Sequence, residues 1–492
     1  MEKVLTNLKP TKVFEFFEDL CHIPHGSGNV KEISDYLVQF AKNRGLKCRQ
    51  DEANNVIIWK NASAGYENAP AYIIQGHMDM VCAKTLDCSK DMAKEGLDLM
   101  TDGKFVWADK TSLGGDDSIA VACMMAILDD ESLKHPALEM VITTDEETGM
   151  DGAVAIDFSD LKAKRLLNVD SEEEGVFTLS CAGGARVDGF VATKTCDVPK
   201  DYLVAKIKTY GFLGGHSGCD IADGRGSANY VLGQFLYFAS THNSGMLIVS
   251  ANGGELDNVI TTEAEAIIAA PADAINPINS MCLRFREKIK EELGAVDPNA
   301  EIQFELIGRP EEGMKASCLA KTQKILSLWS KLPQGVIRML PDFPGIPETS
   351  LNMGTVCVDE EGFMVTYLVR SSIEEEKAKL ISQLKTLIGQ ARGTVSVHGE
   401  YPAWPYRAES EFRDLAEKVF KDLYGKAPGL AATHGGLECG LFINKVADLD
   451  VISIGPDILD IHSPRERLSV ESTARIYEFI CKLLEESLDR KA

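Results

Sequence analysis

The chain has 492 residues with a net charge of −24, from 75 acidic and 51 basic side chains, and is 45% hydrophobic. That length exceeds one compact core, so two domains or one elaborated domain are expected, and the composition is that of a folded globular protein. The acidic balance argues against nucleic acid or an anionic membrane as the main partner, since both demand basic patches.

Thirteen cysteines are scattered singly, with no CxxC spacing to suggest a zinc ribbon or a disulfide framework. Thiols in this number fit a reducing cytoplasm. The first residues, MEKVLTNLKPTKVFEFF, lack the basic-then-apolar order of a secretory signal, and no run of about 18 apolar residues suggests a transmembrane helix. A cytoplasmic protein is expected.

In chain order, TKVFEFFEDLC (11–21) has apolar residues at helical spacing and runs into a His-Gly-Ser-Gly loop. VKEISDYLVQFAKNRGL is a second amphipathic helix, closed by Gly45. NNVIIWK and AYIIQG read as strands, SIAVACMMAILDD as an apolar helix that packs on a sheet, and ALEMVITTDEE and KRLLNVDSEEEG as buried strands. This alternation predicts an α/β catalytic domain with a mostly parallel mixed sheet between helices.

From about residue 187 the texture changes. YLVAKIKTYG alternates like an exposed strand, and strand and helix patterns then recur up to EKAKLISQLKTLIGQA. GEYPAWPYRAES (399–410), rich in Pro and aromatics, looks like a return crossing, followed by the helix EFRDLAEKVFKDLYG, the strand DVISIGP and a long terminal helix. The domain reading is 1–186 plus 399–492 for the catalytic domain, interrupted by an inserted α+β lid domain at 187–398.

Strong ligand types follow the strand-like runs at five places: His77 and Asp79, Asp116 and Asp117, Glu146 and Glu147, Asp170, and His462. Singly each has a bland reading, such as an N-cap with a helix-dipole partner for Asp116 and Asp117 or a charged turn for DSEEEG. Jointly, mixed His and carboxylate donors without Cys suit zinc, manganese or cobalt, with zinc favoured by imidazole. A pair of metals needs a bridging carboxylate, which Asp116 could supply from its Gly-Gly turn. In the Glu-Glu pair one carboxylate can bind metal while the other acts as general base. Asp79 is placed to accept the second N–H of the His77 ring.

The ordered set GHMDMV, LGGDDSIA, TTDEETGM, NVDSEEEG, GGHSG and IHSPRER resembles the co-catalytic zinc peptidases, a family that includes glutamate carboxypeptidase and acetylornithine deacetylase. CHIPHGSGN, CAGGA, THGGLECGLF and IHSPRER make the likeness greatest to its aminoacyl-histidine (Xaa-His, carnosine-cleaving) dipeptidases. The resemblance spans essentially the whole chain. It implies two zinc ions per subunit, replaceable by cobalt or manganese. His77, Asp116 and Asp170 would hold one, and Asp116, Glu147 and His462 the other. Glu146 would be the general base and proton donor, and Asp79 the orienting carboxylate. LGGDDS departs from the family's usual Gly-Ala-Asp-Asn form, which puts the part played by Asp117 in doubt.

The resemblance further implies that His216 stabilises the oxyanion on closure of the lid. Asn258, Arg370 and His434 would contact a small peptide substrate, with Arg370 as clamp for its terminal carboxylate. It also implies a homodimer. His135, His242 and His398 lack such context and read as structural or exposed. The alternatives are the same fold acting as a tripeptidase or N-acyl amino acid deacylase, a serine hydrolase, for which the G-x-S-x-G elbow is missing, or an inactive binding protein.

Overall fold

The computed structural model describes residues 3–488 and divides into two compact units. Unit 1 comprises 1–180, 406–432 and 437–492, and unit 2 comprises 181–405 with 433–436. The joins therefore fall at 180/181 and 405/406, against 186/187 and 398/399 from the sequence. The strands Gly183–Ala192 and Thr394–Tyr401 pair with each other and both belong to unit 2, which moves each join outward. A short return, 433–436, joins unit 2 as well.

Among the described residues unit 1 is built on an eight-stranded sheet. Its centre is parallel: Tyr72–His77 lies between Leu138–Thr143 and Arg165–Asn168, and Asp450–Ser453 pairs with Arg165–Asn168 on the far side. The strands Lys47–Gln50 and Val56–Lys60 add on antiparallel beyond Leu138–Thr143. Tyr72–His77 and Leu138–Thr143 are buried at every residue, as parallel central strands covered on both faces must be. The register sets His77 opposite Thr143 and Gln75 opposite Asn168. The chain thus leaves three neighbouring strands at one end of the sheet, just before Asp79, Glu146 and Asp170. Ligands gather beyond such carboxyl ends, where converging loops stand on a rigid sheet.

The helix Gly115–Asp129 packs against Thr11–Cys21 and the strand Tyr72–His77. It is buried nearly all round, which explains why its sequence is apolar rather than amphipathic. The terminal helix Val470–Glu485 and Glu411–Tyr424 are amphipathic, and each begins at a serine whose hydroxyl accepts a backbone N–H of the first turn, Ser469 from Ser472 and Ser410 from Arg413.

Unit 2 has an antiparallel sheet, running from the edge strand Glu301–Gly308 through Tyr202–Tyr210, Ala264–Pro271, Leu247–Gly253, Pro347–Val358, Gly362–Ser371 and Gly183–Ala192 to Thr394–Tyr401. Tyr202–Tyr210 is an inner strand with Val204, Ala205, Ile207 and Thr209 buried, so its alternation marks a half-covered strand rather than an exposed one. The helices Ala228–His242, Ile275–Leu293, Leu319–Trp329 and Glu374–Gln390 share one core with this sheet, centred on Phe235, Trp329, Tyr367 and Leu384. No helix among the described residues is long and apolar enough to cross a membrane.

Candidate active site

Among the described residues, two groups of side chains in unit 1 could each hold a metal ion: His77, Asp116 and Asp170, and Asp116, Glu147 and His462. His77 Nε2 lies 3.1 Å from Asp116 Oδ1 and 3.4 Å from Asp170 Oδ1. His462 Nε2 lies 3.3 Å from Asp116 Oδ2 and 3.0 Å from Glu147 Oε1. Asp116 thus turns one oxygen toward each imidazole. Glu147 Oε1 is buried and, despite its closeness to His462, has no hydrogen bond among the described residues. A buried acceptor left this way is costly unless something else engages it.

Local backbone conformation places these groups. Asp116 follows Gly114, which adopts a left-handed conformation at φ 67°, ψ 30°. Asp116 and Asp117 are themselves non-helical before the helix proper begins. Asp117 is no helix cap: it is buried, and its Oδ2 accepts the backbone N–H of His77 at 3.1 Å. A Cβ at position 76 would stand 2.3 Å from that oxygen, which is why glycine precedes His77. Glu146 and Glu147 sit on a short helix, Glu146–Gly149, rather than on a strand end. The left-handed residues Asp145 and Met150 bracket it. His462 too is left-handed, at φ 57°. Non-glycine residues rarely adopt this conformation; of the eight that do among the described residues, His462 belongs to the cluster and Asp145 immediately precedes Glu146.

Asp79 is a hub. Its carboxylate accepts from Ser27 Oγ at 2.8 Å, from the Glu146 N–H at 3.1 Å and from the Glu147 N–H at 3.4 Å. His77 Nδ1 is 3.0 Å from the backbone carbonyl of Asp79 and 3.5 Å from its carboxylate, so the carbonyl is the nearer acceptor of the ring proton. Either acceptor leaves Nε2 as the nitrogen that faces Asp116 and Asp170.

The cluster demands positive charge. Burial alone would lower the His77 pKa, but Asp170, Asp116 and Asp79 hold it well above the ordinary range. The Asp116 and Glu147 carboxylates beside its Nε2 raise His462 to about 10. Burial opposes ionisation of Asp116, yet His462 and His77 keep its carboxyl well below the usual range. Burial, with Asp116 and Glu147 nearby, lifts Asp170 to about 6 against the pull of His77. Glu146 is raised well above its ordinary value, first by burial and then by Asp170, Glu438 and Glu147, against the pull of His77.

Beneath the cluster lies a polar layer that the sequence motifs did not single out. Glu438 Oε2 accepts from Gln75 Nε2 at 2.5 Å and Thr143 Oγ1 at 2.7 Å, and Asn168 Nδ2 donates to Gln75 Oε1 at 2.6 Å. Glu438 lies in THGGLECGLF, but nothing local marks it out, because its partners come from two central strands, Tyr72–His77 and Leu138–Thr143.

The remaining expected residues belong to unit 2. His216 pairs with Val259 in an isolated bridge, and the Asn258 carbonyl accepts the Ser217 N–H at 2.8 Å. His216 Nδ1 accepts the N–H groups of Gly218 and Cys219, both at 3.3 Å, which leaves its ring proton on Nε2. Burial and Arg370 lower its pKa. His434 Nε2 is 2.7 Å from Ser350 Oγ, and Ser350 lies opposite Arg370 in the sheet. Burial, then Arg370, lowers His434 to about 3. Arg370 is 5% exposed, donates Nη1–H to Tyr401 Oη at 2.8 Å, and its Nε has no partner among the described residues. His135 is buried against the Pro136 carbonyl, and the exposed His398 pairs with Asp188.

The family model of peptidase family M20/M25/M40 matches residues 73–486. The chain is 35% identical over 483 residues to the cytosol non-specific dipeptidase of Escherichia coli (strain K12), covering 98% of this chain and 99% of that protein. It resembles the crystal structure of the aminoacylhistidine dipeptidase from Vibrio alginolyticus with a TM-score of 0.91 at 32% identity, over 98% of both chains. The aminopeptidase PepT from Bacillus cereus shares the fold, with a TM-score of 0.58 at 15% identity over 98% of this chain and 99% of that one.

Proposed function

The chain belongs to peptidase family M20/M25/M40, and from that premise we propose that it is a metal-dependent dipeptidase whose substrates include Xaa-His dipeptides of the carnosine type. The observation that carries this reading is Asp116 facing His77 with one oxygen and His462 with the other, 3.1 and 3.3 Å away. The names of the Escherichia coli and Vibrio alginolyticus relatives, both dipeptidases, support the substrate class.

His77, Asp116 and Asp170 would hold one divalent ion, and Asp116, Glu147 and His462 the second. The donor set fits such ions: two imidazoles and three carboxylates converge, and Glu147 Oε1 stands buried without a hydrogen bond. Zinc suits imidazole donors, and cobalt or manganese can replace it. When bound, such a pair polarises the scissile carbonyl and lowers the pKa of water toward about 7.

Glu146 receives the proton of the attacking water as its oxygen bonds to the carbonyl carbon. It then delivers that proton to the amine as the C–N bond breaks. Asp79 steadies this base, since its carboxylate accepts the Glu146 and Glu147 N–H groups. His216, neutral and with its proton on Nε2, is suited to donate to the oxyanion, a kind of contribution worth about 3–4 kcal/mol in other enzymes. Arg370, buried and lacking a partner at Nε among the described residues, is suited to clamp the substrate's terminal carboxylate as a planar fork, with Asn258 and His434 as further substrate contacts.

The name of the Escherichia coli relative and the single, scattered cysteines support a cytoplasmic location. A homodimer through unit 2 is supported by its edge strand Glu301–Gly308, which leaves Leu306 and Ile307 half exposed. The test is hydrolysis by zinc-loaded protein of β-alanyl-histidine and Gly-His, compared with Ala-Ala-Ala and N-acetyl amino acids. Dipeptide cleavage that Glu146→Gln abolishes, with zinc still bound, is expected. Preference for the tripeptide or the N-acetyl compounds, or an active metal-replete Glu146→Gln protein, overturns the reading.

A further inference from the structure

The segment that carries His462 also carries a carboxylate for which the proposed reaction has no use. Glu466 is 2% exposed. Its Oε2 accepts the N–H groups of Leu113 at 2.7 Å and Gly114 at 3.1 Å, and its Oε1 those of Gly115 at 2.8 Å and Asp116 at 3.5 Å. Successive backbone N–H groups thus converge on one carboxylate, a concave anion-binding arrangement like the nests that hold phosphates. Here the anion comes from the chain itself.

Both glycines of LGGDD are explained by this grip. Gly114 supplies the left-handed residue that turns the N–H groups to one side, and a Cβ on Gly115 would stand 3.2 Å from Glu466 Oε1. Asp116, next in the chain, is the residue shared by both candidate metal groups. The other end of the tie is equally specific. The Glu466 N–H donates to the Ser463 carbonyl at 3.1 Å, and Ser463 Oγ donates to the Asp460 carbonyl at 2.7 Å, closing a compact loop around the left-handed His462. One loop therefore presents His462 and grips the turn that presents Asp116.

We propose that Glu466 is a positioning residue for the two-metal site, setting the orientation of Asp116 toward both metals and coupling it to His462. Outer partners of metal ligands typically change metal affinity about 10–100-fold when removed. This inference rests on the metal assignment made above.

The experiment titrates metal-stripped full-length protein with Co2+ and follows the visible absorption of the bound ion, alongside kcat and KM for a cleaved dipeptide. Glu466→Gln keeps one acceptor oxygen but turns an N–H donor toward backbone N–H groups. The expected result is Co2+ affinity weakened by about 10–100-fold at one or both sites, an altered absorption band, and a loss in kcat with KM within about threefold. Co2+ affinities and an absorption band within twofold of wild type overturn the inference, even if the variant is less stable. Should Glu466→Gln not fold by circular dichroism, Glu466→Asp, which keeps the charge on a shorter arm, is judged by the same two criteria. Wild-type protein that neither binds Co2+ nor cleaves dipeptides overturns the proposed function. Wild-type behaviour in both, with the variant unchanged, overturns this inference alone.

Discussion

Glu438 makes the stability of the metal-free protein depend on pH in a way that can be calculated. The side chain is fully buried, and burial raises its pKa from 4.5 to about 8, with Asp170 and Asp79 adding to the shift and His77 and the Thr143 hydroxyl opposing it. Below pH 4.5 both the folded and the unfolded chain hold the proton, so ionisation costs nothing. Between pH 4.5 and about 8 the unfolded chain releases the proton while the native chain keeps it. The native state then binds more protons, and stability falls as pH rises. Above pH 8 the penalty is constant. At about 1.4 kcal/mol per pH unit, the interval sets a ceiling of roughly 5 kcal/mol. Glu438→Gln keeps an acceptor for Gln75 and Thr143 and removes the titration. The variant should therefore gain up to roughly 4 kcal/mol more, relative to wild type, at pH 8 than at pH 5. Urea unfolding of EDTA-treated protein across that range measures the difference; stripping matters because a cation beside Asp170 would favour ionised Glu438. A difference between variant and wild type that is the same at both pH values refutes the argument.

Two further outcomes are expected. Arg370→Met should raise KM for dipeptides at least tenfold, about 1.4 kcal/mol or more, and leave dipeptide amides little affected, since only the former present a carboxylate to the guanidinium; steady-state kinetics on the matched pair decides, and equal losses on both would remove Arg370 from that role. Ser410→Ala deletes the hydroxyl that accepts the Arg413 N–H at 2.9 Å and donates to Asp450, and should cost about 1 kcal/mol, read as a lowered urea midpoint without change in KM.

How much was legible in the sequence depended on the range over which each feature is determined. Helices such as Glu411–Tyr424 and central strands such as Tyr72–His77 are written in local periodicity, and both appear where the pattern places them. The clustering of His77, Asp116, Glu147, Asp170 and His462 was legible because each is a ligand type following an apolar run or a glycine turn, and together they keep a recognisable order. Glu466 and Glu438 were not, because their partners at Leu113–Asp116 and at Gln75 and Thr143 lie about 350 and 300 residues or more away along the chain. No window of sequence contains both ends of either contact. Asp117 shows a subtler failure: beside a helix start it resembles a cap, and only the approach of the His77 backbone shows what the carboxylate holds. The joins near 180 and 405 were displaced because a pairing between Gly183–Ala192 and Thr394–Tyr401 leaves no local trace.

The tie between Glu466 and the Leu113–Asp116 turn also orders events during synthesis. On the ribosome His77, Asp79, Asp116, Glu147 and Asp170 are made almost 300 residues or more before His462 and Glu466. Until those two residues have emerged, Asp116 has neither its second imidazole nor the grip on its turn. On the proposed assignment, a chain not yet grown past His462 cannot complete the second metal group, so a hydrolase made among other unfinished peptides holds only part of its site until then.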